Sequence, residues 1–361
     1  MRERLRRARG LGRLISAATY LLALCVAVPV ARAAHLGHPL ADLGLGTLVA
    51  TIVVFAISLA VDNSSIYDPY WSLQPVAIAG YYLWVGRGAL DARLLVVTAL
   101  VLVYALRLTS NFYRDWPGLT KEDFRYRSFR ERYGRGYWPV SFLGIHLFPT
   151  VMVYLGCLPL YAVWRPGGAG FGWLDGLGLA VTAGAIALAF VADEQLRRFR
   201  ERPGRRGELI CSGLWRWSRH PNYLGEVLTW WGLWLFALAA GAGWWWTAAG
   251  ATAITIMFVF ASVPMMERCL LSERAGYAEY RVKTPMLVPW PRAARPGLLP
   301  APVLSRLQGG RFQRPVHVPE EVDQGDDETD EAEDEESSDQ PGNVDAGERG
   351  DEERDHQQRG E

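Results

Sequence analysis

The residues best suited to chemistry stand at regular intervals beside apolar runs. In "WRWSRHPNYLGE", Arg219 and His220 precede Pro221, and Asn222, Tyr223 and Glu226 follow it. Asn222 and Glu226 are four residues apart, so a helix shows both on one face. Pro221 suits a first helical turn, where its missing N–H is no loss, and the free N–H groups of that turn welcome an anion. In "VYALRLTSNFYR", Tyr104, Arg107 and Asn111 fall at i, i+3 and i+7, again one helical face. In "ADEQLRRFR", Asp193, Arg197 and Arg200 do the same. An Asp193–Arg197 ion pair is the plain outcome there; it leaves Arg200, Arg202, Arg205 and Arg206 as cations for a phosphate. "YDPYWSL" puts Asp68 before Pro69, which disfavours helix at that point and predicts an irregular segment at a cavity mouth. "MMERCLLSERAGYAEYR" adds Glu267, Tyr277, Tyr280 and Arg281.

Such groups suit a basic rim that receives phosphate, with tyrosine and carboxylates deeper among apolar helices. Plainer roles exist for several of them. Arg107 can snorkel to the headgroups, Tyr104 can be an interfacial aromatic, and Trp215, Arg216 and Trp217 can anchor a helix end. An ionisable group at membrane depth costs a few kcal/mol unless it is paired or faces a cavity, so Asn222 and Glu226 call for more than anchoring. No Walker loop, Gly-rich dinucleotide fingerprint, G-x-S-x-G elbow or histidine-rich box occurs. Cys25, Cys157, Cys211 and Cys269 are scattered without a C-x-x-C pair, and His35 and His38 form a lone H-x-x-H. No metal site is expected from them.

The elements that must position these groups are membrane spans. Half of the 361 residues are hydrophobic and 15 are tryptophan. Apolar runs able to cross about 30 Å of hydrocarbon lie near 13–32, 43–61, 72–87, 92–110, 141–163, 173–192, 222–241 and 244–264. The run at 72–87 is the shortest, with polar flanks. The first run follows a basic leader but is too long for a signal core, so it reads as a retained helix. The net charge of zero conceals a segregation. Of 38 acidic residues, 20 lie after Pro319 beside three basic ones, which leaves the rest at about +17. Arginines cluster at the start, at 107–135, at 197–219 and after Met266, whereas the connections around Gly37, Gly88, Gly168 and Gly243 carry few charges. Eight helices put every arginine-rich connection and both termini on the cytoplasmic side. That side also discounts the acceptor-like "NSS" at Asn63. The chain divides into a leader and first helix (1–44), a transmembrane domain (45–290) and an acidic tail (291–361) whose composition predicts disorder. The expected class is therefore all-α and polytopic, in a bacterial inner or plasma membrane, with lipid and a hydrophobic small molecule as partners and no nucleic acid.

"GLWRWSRHPNYLGE" before a tryptophan-rich helix, with "SERAGYAEYRVKTPMLVPW" near the end, resembles the membrane steroid 5α-reductase superfamily over residues 45 to 290. Its bacterial branch of domains of unknown function is the nearest in pattern. R-H-P-x-Y alone is shared with isoprenylcysteine methyltransferases. The resemblance implies that Tyr104 and Arg107 form the family's Y-x-x-R element, with Asp68 as the upstream acid that helps the tyrosine hold a substrate carbonyl. The family acid is usually glutamate, so aspartate shortens the reach. It further implies that Asp193, Arg200, Asn222 and Glu226 contact a dinucleotide; Arg219, His220, Tyr223 and Arg107 are expected at the same cofactor site. The family's C-terminal histidine-to-tyrosine element has no clear counterpart, Glu267 and Tyr280 being nearest.

The function expected is NADPH-dependent reduction of a double bond conjugated to a carbonyl in a steroid, prenoid or fatty enoyl substrate. Tyr104, helped by Asp68, would stabilise the developing enolate oxygen. An S-adenosylmethionine-dependent methyltransferase is one alternative, although it needs neither the tyrosine–acid pair nor a phosphate-ready rim. A non-enzymatic lipid- or sterol-binding protein is the other, and it needs no deep polar residues.

Overall fold

Prolines and short polar side chains decide where the helices begin. The computed structural model describes residues 9–85, 91–120, 122–165, 170–204 and 207–289. Helices α1 (Arg9–Ala34) and α2 (Pro39–Val61) form a hairpin. The His38 ring accepts the Leu40 N–H at 3.2 Å and Pro39 opens the first turn of α2. Asp62 closes α2 in the left-handed region at φ 57°. Asn63 then caps a 3₁₀ turn, Ser64–Ile66, by accepting the Ser65 N–H at 2.9 Å. Its amide is buried and donates to the Leu119 carbonyl, so the acceptor-like triplet serves as a cap.

The next helix, α3 (Tyr67–Val85), corrects the irregular segment expected around Asp68. Pro69 falls in the first turn, where no N–H is required, and the 3₁₀ turn feeds directly into it. Asp91 caps α4 (Ala92–Asp115) by accepting the Leu94 N–H at 2.8 Å. Asp123 similarly caps the start of the long segment α5 (Phe124–Trp164). There follow α6 (Trp173–Arg200), α7 (Pro221–Ala240), α8 (Ala242–Glu273) and the short α9 (Tyr277–Lys283). Pro221 is indeed at the start of α7. Among the described residues no strand occurs.

Seven of these segments (α1, α2 and α4–α8) are long and apolar enough to cross a membrane. The eighth expected run is the 19-residue α3, whose Asp68, Ser72 and Gln74 lower its hydropathy. The chain is thus an all-α, integral membrane protein. It separates into a unit Met1–Pro315, which holds every described residue, and a unit Val316–Glu361. The acidic tail, Arg205, Arg206, the arginines before residue 9 and the connections at Gly88 and Gly168 lie outside the described residues.

Two features of the packing bear on the site. First, α6 and α7 approach closely because α7 carries glycine where they cross. A Cβ at Gly225 would sit 2.6 Å from the Ala185 carbonyl oxygen, and one at Gly232 would fall on Thr182. Small residues at a helix crossing let backbones approach where lipid gives no hydrophobic drive. Second, α5 and α8 each contain a π-helical turn, Ser141–Leu147 and Phe258–Ser262. Such turns widen a helix and turn its following face. The core of Val97, Leu100, Trp230, Leu233, Phe236 and Ile254 joins α4, α7 and α8. At one end a buried pair, Arg93 with Asp175 at 2.6 Å, also ties in the carbonyls of Gly170 and Ala239.

Candidate functional site

The opposite end gathers the polar groups. The end of α4 offers Tyr104, Arg107 and Asn111; the end of α6 offers Asp193; the first turns of α7 offer Asn222 and Glu226. Tyr104 donates to Glu226 Oε2 at 2.8 Å, and Arg107 donates to Glu226 Oε1 through Nη2. Arg107 Nη1 reaches Asp193 Oδ2 at 3.1 Å. Asn111 and Asn222 donate to Asp193 at 2.9 and 3.0 Å. One buried guanidinium therefore holds two carboxylates, and three helices are linked through it. The helical spacing put Tyr104, Arg107 and Asn111 on one face, and they do act from one face. The plain Asp193–Arg197 pair does not form. Asp193 faces α4 and α7, while Arg197 lies one turn further out and pairs with Glu194 at 2.5 Å and Glu201 at 2.5 Å.

Two cavities adjoin this network. The first encloses about 650 Å³. Its apolar wall includes Trp71, Phe112, Phe148, Trp230 and Met257, and both π-helical turns contribute through Ile145 and Phe258. Asp68, Asp193, Glu226, Asn222, Tyr223 and Arg200 also line it. Tyr104 and Arg107 do not; they stand behind Glu226. The partner of Asp68 is instead Tyr126, on the first turn of α5, whose hydroxyl donates to Asp68 Oδ1. Arg125 Nη2 lies 3.6 Å from the same oxygen, and its guanidinium stacks over the Tyr126 ring. Arg125 and Tyr126 line the cavity with Asp68. In the sequence they lie in an arginine-rich connection that reads only as topology; the hint was a tyrosine between two arginines, three residues after a capping aspartate.

The second cavity, about 520 Å³, shares Leu196, Arg200, Asn222, Tyr223 and Met266 with the first. It is also lined by Trp215, Arg219, His220, Arg274, Tyr277 and Tyr280. Arg219 is already engaged: Glu267 takes its Nε at 2.7 Å, and the carbonyls of Arg281 and Thr284 take Nη1 at 2.7 and 2.6 Å. Glu267 also meets Arg281 at 3.1 Å and lies 3.3 Å from the His220 ring. Tyr280 donates to the Trp215 and Ser218 carbonyls. Burial pushes its hydroxyl above the ordinary tyrosine range. Arg219, Glu267 and Tyr280 thus clamp the loop before α7 to the C-terminal segment. His220 stacks on Tyr223 with ring centroids 5.3 Å apart and planes 13° apart. Among the described residues no cluster of three or more His, Cys, Asp or Glu side chains fits a metal.

A family described as "Protein of unknown function (DUF1295)" matches residues 54–284. The chain belongs to this family. The match takes in every residue of both the network and the two cavities named above. An uncharacterized protein of Schizosaccharomyces pombe is 29% identical over 212 residues, 52% of this chain and 61% of that protein. This DUF1295 chain thus spans about three-fifths of the length of the curated relative it matches. No solved structure matches it.

Proposed function

We propose that the chain is a membrane-embedded NADPH-dependent reductase of a carbon–carbon double bond conjugated to a carbonyl, acting on a steroid, prenoid or fatty enoyl substrate drawn from the bilayer. The observation that carries this reading is the pairing of two unlike cavities across one wall. The first is wide and largely apolar with a tyrosine–carboxylate pair in it; the second is basic and lined by aromatic rings. The resemblance to steroid 5α-reductases agrees with that division.

The donor pair is reassigned from the sequence expectation. Tyr104 is buried and its hydroxyl is engaged by Glu226, whereas Tyr126 and Asp68 stand together in the apolar cavity. When Asp68 carries a proton it donates to the phenolic oxygen, which frees the Tyr126 hydroxyl for a substrate carbonyl. Negative charge then accumulates on an oxygen already facing a fixed donor, which is where a donor lowers a barrier most. Asn222 and Tyr223 belong to both cavities, so they would orient a cofactor at the shared wall, and Arg200 would meet its phosphates. Asp193 and Glu226, fixed by Arg107, would position its polar atoms. NADPH, when bound, supplies the hydride for the β-carbon.

With α3 counted as an eighth crossing beside the seven segments that qualify by length and hydropathy, this reading puts both termini on the cytoplasmic side, in line with the arginine-rich connections. The deciding experiment is a binding titration of the purified full chain with NADPH and with S-adenosylmethionine. NADPH is expected to bind and S-adenosylmethionine is not. Binding of S-adenosylmethionine alone would transfer the chain to the methyltransferase class, and binding of neither would leave lipid binding as the reading.

A further inference from the structure

The second cavity holds a charge that its own residues leave uncompensated. Of its arginines, Arg219 is engaged through Nε by Glu267 and through Nη1 by two carbonyls. The guanidinium groups of Arg200 and Arg274 have no ion pair or hydrogen bond among the described residues, and their like charges oppose each other. They come from separate elements. Arg200 is the last residue of α6, and Arg274 caps the end of α8. The Arg274 guanidinium lies against the loop at Gly207, where a Cβ would stand 3.6 Å from Nη1. Gly207 takes φ +88°, a conformation that favours glycine, so this wall is set by the loop backbone. Glu208 also lines the cavity and has its own interaction.

Asp115 and Asp193 draw on Arg200 from a distance, but neither guanidinium has a carboxylate within ion-pair reach among the described residues, and the two repel. An anion with two charges and several acceptor oxygens removes that repulsion and satisfies both planar forks. A phosphomonoester fits this description: it carries about −1.5 to −2 at neutral pH and presents three acceptor oxygens. The phosphates of a pyrophosphate bridge carry one charge each and suit a single arginine.

The geometry points to a phosphomonoester site formed by Arg200 and Arg274. Resting on the NADPH reading, its occupant is the phosphate on the adenosine ribose, which makes Arg274 the residue that tells NADPH from NADH. The neighbouring Trp215 and the stacked His220–Tyr223 pair offer flat faces for the adenine.

The test measures the affinity of the full chain, in phosphatidylcholine nanodiscs, for NADPH and NADH, with the wild type, Arg274→Ala and Arg274→Lys. The wild type is expected to favour NADPH. Arg274→Ala should weaken NADPH by about 10- to 100-fold, the usual effect of losing one charge-assisted contact. NADH should change less than about threefold, and Arg274→Lys should keep part of the preference because it keeps the charge. Melting curves of the variants, matched to wild type, exclude misfolding. Unchanged NADPH affinity in Arg274→Ala, or equal losses for both dinucleotides, overturns the assignment. A wild-type chain that binds neither dinucleotide, yet is stabilised by inorganic phosphate through Arg274, keeps the site and defeats the cofactor reading. No stabilisation by phosphate either defeats both. Loss of NADPH binding when phosphatidic acid is added to the nanodiscs would assign the site to a lipid headgroup instead of the ribose phosphate.

Discussion

Replacing Tyr126 by phenylalanine removes one oxygen and keeps the ring that Arg125 covers. The lost hydroxyl donates to Asp68 inside the apolar cavity, so Asp68 keeps only the more distant Arg125 at 3.6 Å. If that hydroxyl serves the substrate oxygen, turnover should fall by about 10²–10³, the common effect of deleting one transition-state donor. The parallel change, Tyr104→Phe, acts elsewhere. It takes one of two partners from Glu226 and leaves Arg107 in place. A hydrogen bond to a charged group is worth about 1.5–3 kcal/mol, so the expected loss is in stability, with turnover within about fivefold of wild type. The assay is NADPH oxidation with an accepted enone in nanodiscs, beside a melting curve for each variant. The contrast between the two tyrosines carries the argument. Near-normal turnover in Tyr126→Phe together with a hundredfold loss in a stable Tyr104→Phe would refute it and return the donor role to Tyr104.

Arg107→Met should destabilise the protein by about 3–5 kcal/mol, because it strands Glu226 and Asp193 without their shared cation; a melting temperature equal to wild type would show that the network matters little. Arg107→Lys should recover part of the loss, since an ammonium keeps the charge but not the fork. For topology, a cysteine placed at residue 168 should react with an impermeant reagent on intact cells, and one at residue 205 only after the membrane is opened. The reverse pattern would overturn the cytoplasmic placement of the termini.

Hydropathy and proline positions located the spans well, because a helix crossing lipid must be apolar over its length and polar groups mark its ends. The run expected at 222–241 is α7 at Pro221–Ala240, and Pro221 opens it as its chemistry requires. The expectation failed at Asp68, where the rule against helix before proline lost to a 3₁₀ lead-in that places Pro69 in a first turn. Within a helix, spacing was informative: Tyr104, Arg107 and Asn111 share a face and a network. Between helices it was silent. Nothing in "ADEQLRRFR" tells that Asp193 prefers Arg107, which is 86 residues away, to Arg197 on its own helix. Tyr126 was hidden for the same reason, since its partner lies 58 residues earlier. Arg274 was passed over because it is one of several arginines after Met266, and the sequence does not tell which of them faces Arg200.

The link through Arg107 has a consequence for biogenesis. Arg107 emerges from the ribosome long before its counter-ions, which follow 86 and 119 residues later. A charged side chain near the middle of an isolated span costs about 2.5–3.5 kcal/mol on translocon-insertion scales. The segment α4 is therefore made with its cation unanswered. Asp193 on α6 is the first to relieve it, and Glu226 on α7 completes the set. The cost of holding α4 in lipid therefore falls in two steps, as α6 and then α7 are made, so late parts of the transmembrane domain stabilise an early one.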